Sequence, residues 1–595
     1  MLLCFFLLSF GAGWAQTGEV ALAEKYFQDG EWQNALTLYE KIQRKDADNR
    51  TFNQRISYCY GQLEQYDAGI EFLAKVIRKN PDDNLYPFFK AELHRLKGEF
   101  DQAESLENKT IENALKTEAE FMEIGSYTYQ QGKNDLSLKT YLQGRKTLRS
   151  RYIFGSEIAN LCAEAGEYKL AAEEYINLYL AKMMPLSTTS LNVLNLVSDG
   201  SAPVIEEVLL SEVQRNSQDL GLRTIVFEFY VLAENFYEAF VQCKSIDKVF
   251  KENGRRVYNF ALTMRNNENY KLSNKALDYI IDSHEKSPYY LKAYQEKTVN
   301  NELQAFESIP LDSTSIRAAV QAYSDLLDRF GRKSQFFDAM YRKANLQAFY
   351  LFDLEGAKVE LEKALALGTA RKNLAKANLL YGDILLMQKQ YNKAKLKYNE
   401  VAEAFKEGQT GALAKYKQGR LSYFKGDFEY SQARLKTIKD NTSNDISNDA
   451  IKLFLVIQDN IGLDTSTVAL ERFAQAQLMV FQRDFEPAIE LLDSILYAFP
   501  NHGLTDDILW EKANIFLQQN KIERTLVFLD KVIDEYPTDI HGDDALYTKA
   551  RINDYTLGDK DEAMRLYIDF LRNYSGSLYV VAVRKRIREL RKEKL

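Results

Sequence analysis

The chain has 595 residues with 9 Pro and 28 Gly, about half the combined share of average sequences, which argues against long loops and turn-rich β architecture and for helix. Hydrophobic residues make up 46% and charged residues 27%, a composition that builds a core and excludes disordered or collagen-like chains. The net charge of −8 is spread thinly, so a nucleic-acid partner, which needs a basic face, is not expected.

Residues 2 to 15, LLCFFLLSFGAGWA, run apolar from Leu2 to Phe10 and end in small residues before Gln16. This matches the hydrophobic region and cleavage site of a secretory signal peptide and is too short to span a bilayer. No Lys or Arg precedes the run, and Cys4 stands at the wrong end of it for lipidation. The competing reading is a buried first helix. The expectation is a signal peptide over 1–15 and a periplasmic protein, with secretion or outer-membrane association as variants. The cysteines Cys4, Cys59, Cys162 and Cys243 form no CxxC or Cys/His cluster and read as small buried hydrophobes.

From Gly30 a marker recurs every 34 residues at Glu64, Gly98, Gly132, Gly166, Gly200, Glu234 and Glu268. Two residues after it stands an aromatic in most units: Trp32, Tyr66, Phe100, Tyr168, Phe236 and Tyr270. Five after it comes a small residue (Ala35, Gly69, Ala103, Ser137, Ala171, Ala239, Ser273), and seven before it another (Ala23, Ser57, Ala91, Gly125, Ala159, Ala261). Small residues facing each other let two antiparallel helices approach closely, so each unit reads as a helix hairpin with the early aromatic wedged near its turn. The sixth unit, Gly200, Ala202 and Ile205, keeps only the register.

Residues 302–316, carrying Pro310, displace the register and read as a linker or hinge. Beyond it the grammar returns with a 37-residue period: Ala357, Ala394 and Ser431 at the second small position, Ala476, Ala513 and Ala550 at the first, and Pro500 and Pro537 between units. A polar interruption with an extra helical segment falls near 440–466. The last segment places Val580, Val583, Ile587 and Leu590 on one stripe among seven Arg and Lys, the pattern of a basic helix over 577–595 that caps an exposed hydrophobic end. An anionic membrane contact is the alternative for that helix.

These spacings resemble the tetratricopeptide repeat family, with small residues at unit positions 8 and 20, Tyr26 and Tyr60 at position 11, Tyr39, Tyr141 and Tyr175 at position 24, and Pro81 at position 32. The C-terminal units resemble those of bacterial periplasmic assembly and cell-division factors. The resemblance implies an all-α fold, an α-solenoid of tandem hairpins in a right-handed superhelix. The expected organisation is an N-terminal solenoid over 16–301, the linker at 302–316, a C-terminal solenoid over 317–576 and the capping helix.

Catalytic signatures are absent from the sequence. His94, His284, His502 and His541 form no HExxH, and no phosphate-binding loop or GxSxG occurs. His94 reads as a packed, hydrogen-bonded imidazole, and Asp506-Asp507 and Asp543-Asp544 as helix-start capping groups. No enzyme activity, cofactor, metal or small-molecule substrate is therefore expected.

In the resembled family the first helix of each hairpin lines the concave surface. That implies partner-binding roles for Tyr416, Arg420 and Tyr423, for Trp510 and Asn514, and for Tyr547 and Arg551. Aromatic faces with Arg and Asn donors suit peptide recognition; the alternative is that these rings pack between repeats. The Lys-and-Asn clamp for a C-terminal carboxylate is missing. The expected function is a non-catalytic scaffold or adaptor binding a protein or peptide in the cell envelope. The alternative is a glycan-binding helical-repeat protein of an outer-membrane nutrient-uptake system.

Overall fold

A computed structural model describes residues 18–198, 200–439, 445–461 and 467–593; the expected signal peptide lies outside them. The described residues form an all-α solenoid without strands. They divide into two units, with the boundary between Phe250 and Lys251.

In the first unit each 34-residue period is a pair of helices, such as Gly18–Gln28 with Trp32–Gln43 and Tyr86–Leu96 with Phe100–Lys109. The marker is the left-handed residue that ends the first helix. Gly30, Gly98, Gly132 and Gly166 have φ of 76°, 90°, 71° and 79°, while Glu64 and Glu234 take 58° and 55°. Glycine enters this region without a Cβ clash, whereas another residue gives up about 1 kcal/mol there.

The small positions are where the helices touch. Ala23, Ala35, Ala91, Ala103, Ala159, Ala171 and Ala239 are fully buried. A Cβ added to Gly125 would stand 2.4 Å from the Tyr141 ring, so position 8 is the seat of the aromatic at position 24. The early aromatics sit near the turn as expected, with Trp32 edge-on to Phe27 of the first helix, but they bury less than a wedge should. Trp32, Tyr66, Phe100, Tyr168 and Phe236 open their second helices and are at best half-buried, with Phe100 63% exposed. Tyr39, Tyr141 and Tyr175 are the buried rings instead. The reason is height along the hairpin: a residue in the first turn lies at its rim, one two turns further on lies at its waist. Cys59, Cys162 and Cys243 are buried, and His94 is buried with Nδ1 2.6 Å from Glu99.

In the second unit left-handed turns recur at Phe352, Lys389 and Gly426, then at Arg483 and Asn520. Added residues lengthen some first helices: Arg371–Met387 and Gly408–Phe424 have 17 residues each, against 13 in Arg50–Gln62. Residues 302–305 complete the helix Tyr290–Ala305, and Asp312 caps Ser313–Phe330 by accepting from Thr314 and Ser315 N–H. The connection is therefore only 306–312, and it lies inside the second unit. Near 440–466 the extra helix is Asp445–Ile461, packed on Phe428–Lys439. The terminal helix Val580–Glu593 buries Val580, Val583, Ile587 and Leu590 against Leu566, Tyr567 and Phe570, as a cap should. Among the described residues no helix is long and apolar enough to cross a membrane.

Candidate functional site

The first helices of successive hairpins in the second unit, with the extra helix Asp445–Ile461 between them, enclose a cavity of about 430 Å³. Four of the seven expected residues line it: Tyr416, Arg420 and Tyr423 from Gly408–Phe424, and Trp510 from Thr505–Gln518. They share it because positions 5, 9 and 12 of one first helix sit on one helical face, and the next hairpin turns its own equivalent face toward them.

The polar groups at one end are organised by Asp383, a carboxylate only 2% exposed. It accepts from the Tyr398 hydroxyl at 2.8 Å, from Lys417 Nζ at 2.5 Å and from Arg420 Nη2 at 3.4 Å. Burial pushes the Lys417 ammonium below its ordinary pKa. The Arg420 guanidinium lies 4.6 Å from the Phe481 ring centroid, and its Nε is buried without a hydrogen-bond partner. A buried guanidinium donor left without a partner is costly, and the rest of this guanidinium is held by Asp383 and Tyr416.

The other end is built on a histidine. The Trp510 indole and the His541 imidazole stack with centroids 5.3 Å apart and planes 15° apart. His541 Nε2 is 3.0 Å from Asp507 and Nδ1 is 3.7 Å from Asp544. Burial opposes charge on the ring, but the two carboxylates outweigh it and raise its pKa to about 9. At neutral pH it is an imidazolium held between two acids, which suits a structural tie and not a general base. Burial, then the adjacent Asp507, raises Asp506 to about 6. For Asp544, burial is outweighed by donors on His541, Tyr579 and Lys452, which hold it near 2. Between the two ends, Tyr423 donates to Gln477 at 2.9 Å and Gln477 to Glu511 at 3.1 Å. Burial raises the Glu511 carboxyl above its usual range.

The acidic pairs meet the capping expectation in one member each: Asp506 and Asp543, in the first turns of Thr505–Gln518 and Gly542–Arg551, accept the backbone N–H of Asp507 and Asp544. Asp507 and Asp544 instead point inward, because unit position 2 lies on the same face as positions 5 and 9. Tyr423 is fully buried, so only its hydroxyl reaches polar company. Asn514, Tyr547 and Arg551 are not in the cavity wall. Tyr547 stacks on Tyr579 at 4.2 Å, and Arg551 lies between the Tyr547 and Tyr555 rings at 6.0 and 5.7 Å.

Sequence reasoning missed Asp449 and Lys452 on the extra helix, Arg483 at the cavity end, and His541. Arg483 donates to the Phe349 carbonyl at 2.7 Å across 134 residues, and Lys452 bonds Asp544 at 3.0 Å across 92. The sole available signal was the 37-residue recurrence of the acidic pairs, which said nothing of their partners.

The model of the tetratricopeptide repeat family matches residues 544–577. A TPR repeat-containing protein of Methanocaldococcus jannaschii is 26% identical over 132 residues, 22% of this chain and 23% of that protein. The similarity thus spans under a quarter of the relative's length. Among solved structures, a tetratricopeptide repeat protein from Parabacteroides merdae is 11% identical with a TM-score of 0.29, covering 50% of this chain and 98% of that one. The Cut9–Hcn1 hetero-tetramer of APC/C gives 13% identity and a TM-score of 0.26, covering 90% and 96%.

Proposed function

We propose that this chain, which matches the tetratricopeptide repeat family over residues 544–577, a family whose repeats generally mediate protein–protein interaction, is a non-catalytic scaffold holding a partner segment against the cavity of its second unit. The observation that supports this reading most is the convergence of Tyr416 and Arg420 from one helix and the half-buried Trp510 from another on one space. Aromatic area ordered at low entropic cost, beside an Arg donor, is the composition of an interaction hot spot. The glycan-binding alternative gains nothing here, because His541 already covers one face of Trp510.

We place the protein in the bacterial envelope, exported by the segment at 1–15, on the character of that segment alone. Photo-crosslinking residues installed at Tyr416 and Trp510 should capture one protein from envelope extracts, while one at the exposed Val527 should not. Equal capture at all three sites, or none at Tyr416 and Trp510, overturns the reading. Mass analysis of the mature N-terminus tests export.

A further inference from the structure

The short connection 306–312 does more than join two helices. Its Glu307 carbonyl accepts from Arg551 Nη2 at 3.3 Å, across 244 residues. Its Ile309 carbonyl accepts from the Thr556 hydroxyl, across 247 residues. The Ile309 side chain packs against the buried cluster of Leu509, Ala513, Val532 and Ile552, on which Trp510 also packs. Glu307 and Leu311 stay exposed.

This is how a binding surface takes a peptide: two main-chain carbonyls read by side-chain donors, and one branched aliphatic side chain seated on an apolar floor. Its donors are prepared for the task. Arg551 is held between two tyrosine rings and, among the described residues, has no carboxylate partner. Thr556 lies on a π-helical turn, Ile552–Leu557, that interrupts the regular helix after Arg551; such turns recur at functional positions.

We propose that the surface formed by Trp510, Arg551 and Thr556 is a polypeptide-binding site and that residues 306–311 are its resident occupant. The external ligand is a protein segment that offers a branched aliphatic residue with an accessible carbonyl two residues before it, and it binds by displacing the loop. This goes beyond the reading of the cavity as the partner site, since Arg551 and Thr556 lie outside its wall and only Trp510 belongs to both, and it adds competition in cis. A tethered occupant acts at an effective concentration in the millimolar range, so the native chain binds such segments weakly until the loop is released.

The test uses a fluorescein-labelled peptide of residues 304–313, QAFESIPLDS, and the full chain. With residues 307–311 replaced by Gly and Ser, anisotropy should show the peptide binding at least tenfold more tightly than to the native chain. Arg551→Ala or Thr556→Val in that background should reduce binding, as should Asp in place of Ile309 in the peptide. Failure of the loop-replaced chain to bind, or binding indifferent to Arg551→Ala, overturns the proposal. Should the replaced chain not fold, Ile309→Asp in the intact chain takes its place with the same expectations. Hydrogen exchange gives a second arm: Arg551→Ala should speed exchange of the Glu307 amide, which donates to the Gln304 carbonyl, several-fold, and an unchanged rate there also overturns the proposal. Neither arm needs an envelope partner, so failure here is distinguishable from failure of the crosslinking experiment.

Discussion

The two units use one grammar and reach different ends. In the first, side-chain bonds join residues about one period apart: Arg50 to Asp83, Tyr129 to Glu164, Arg145 to Glu174 and Lys169 to Glu207. Arg50 also reaches Glu123, two periods on. Each hairpin there knows its near neighbours and little else, as expected of a quasi-one-dimensional array. In the second unit Arg483 reaches Phe349, Gln482 reaches Leu386, Arg551 reaches Glu307 and Lys585 reaches Glu268, across 134, 96, 244 and 317 residues. Longer first helices and one extra helix bring distant hairpins of this unit together, and the space they enclose is the candidate site.

Matched substitutions in the two units test that contrast. The largest effect is expected from buried carboxylates. Asp383→Ala strands Lys417 and Arg420 and should cost about 3–5 kcal/mol by denaturant unfolding, whereas Glu107→Ala leaves Arg95 and Lys133 still paired with Glu92 and should cost less. Only the first should also abolish crosslinking at Tyr416. Equal loss of capture from both would break the assignment of function to the second unit.

Next are the equivalent glycine seats. Gly125→Ala presses on Tyr141 and Gly382→Ala on Tyr398, with added Cβ atoms 2.4 Å from each ring. Both should lose about 1–3 kcal/mol. Because Tyr398 bonds Asp383, Gly382→Ala should in addition weaken partner capture.

His541→Gln sharpens the comparison through pH. The folded-state pKa of about 9 lies above the ordinary 6.5, so the charged ring stabilises the fold fully below pH 6.5, and that stability is lost as pH rises through 9. The stability gap between native chain and variant should be on the order of 2–3 kcal/mol at pH 6 and close by pH 9.5. A gap constant with pH would contradict the charged-ring account. The smallest effect is expected at the exposed pair Lys169–Glu207 of the first unit; Lys169→Ala should leave the melting temperature unchanged within error.

Much of this was legible in the residues. The recurrence of small side chains located the helix contacts, since an α-helix can approach its hairpin partner only where Cβ bulk is minimal, and Ala35, Gly69 and Ala394 are where they must be. The stripe Val580, Val583, Ile587, Leu590 fixed the capping face. Tyr416, Arg420 and Trp510 were legible as inward-facing positions because unit register assigns a face. The wedge aromatics were legible in place but not in depth: they stand at the turn, and a first-turn position at the hairpin's rim buries a ring only in part. The roles of Asp507 and Asp544 were misread because a first-turn acid looks the same whether it faces solvent or a histidine.

By itself, then, the sequence determined the helices, their pairing into hairpins and the face each presents, because these depend on side chains within one or two periods of each other. Only the tertiary structure decided that Asp445–Ile461 would wall a cavity, that His541 would be held between Asp507 and Asp544, and that the 306–312 connection would lie on Arg551 and Thr556. Those contacts depend on small rotations accumulated over many hairpins and on where an irregular segment resets them. No local pattern encodes such a sum.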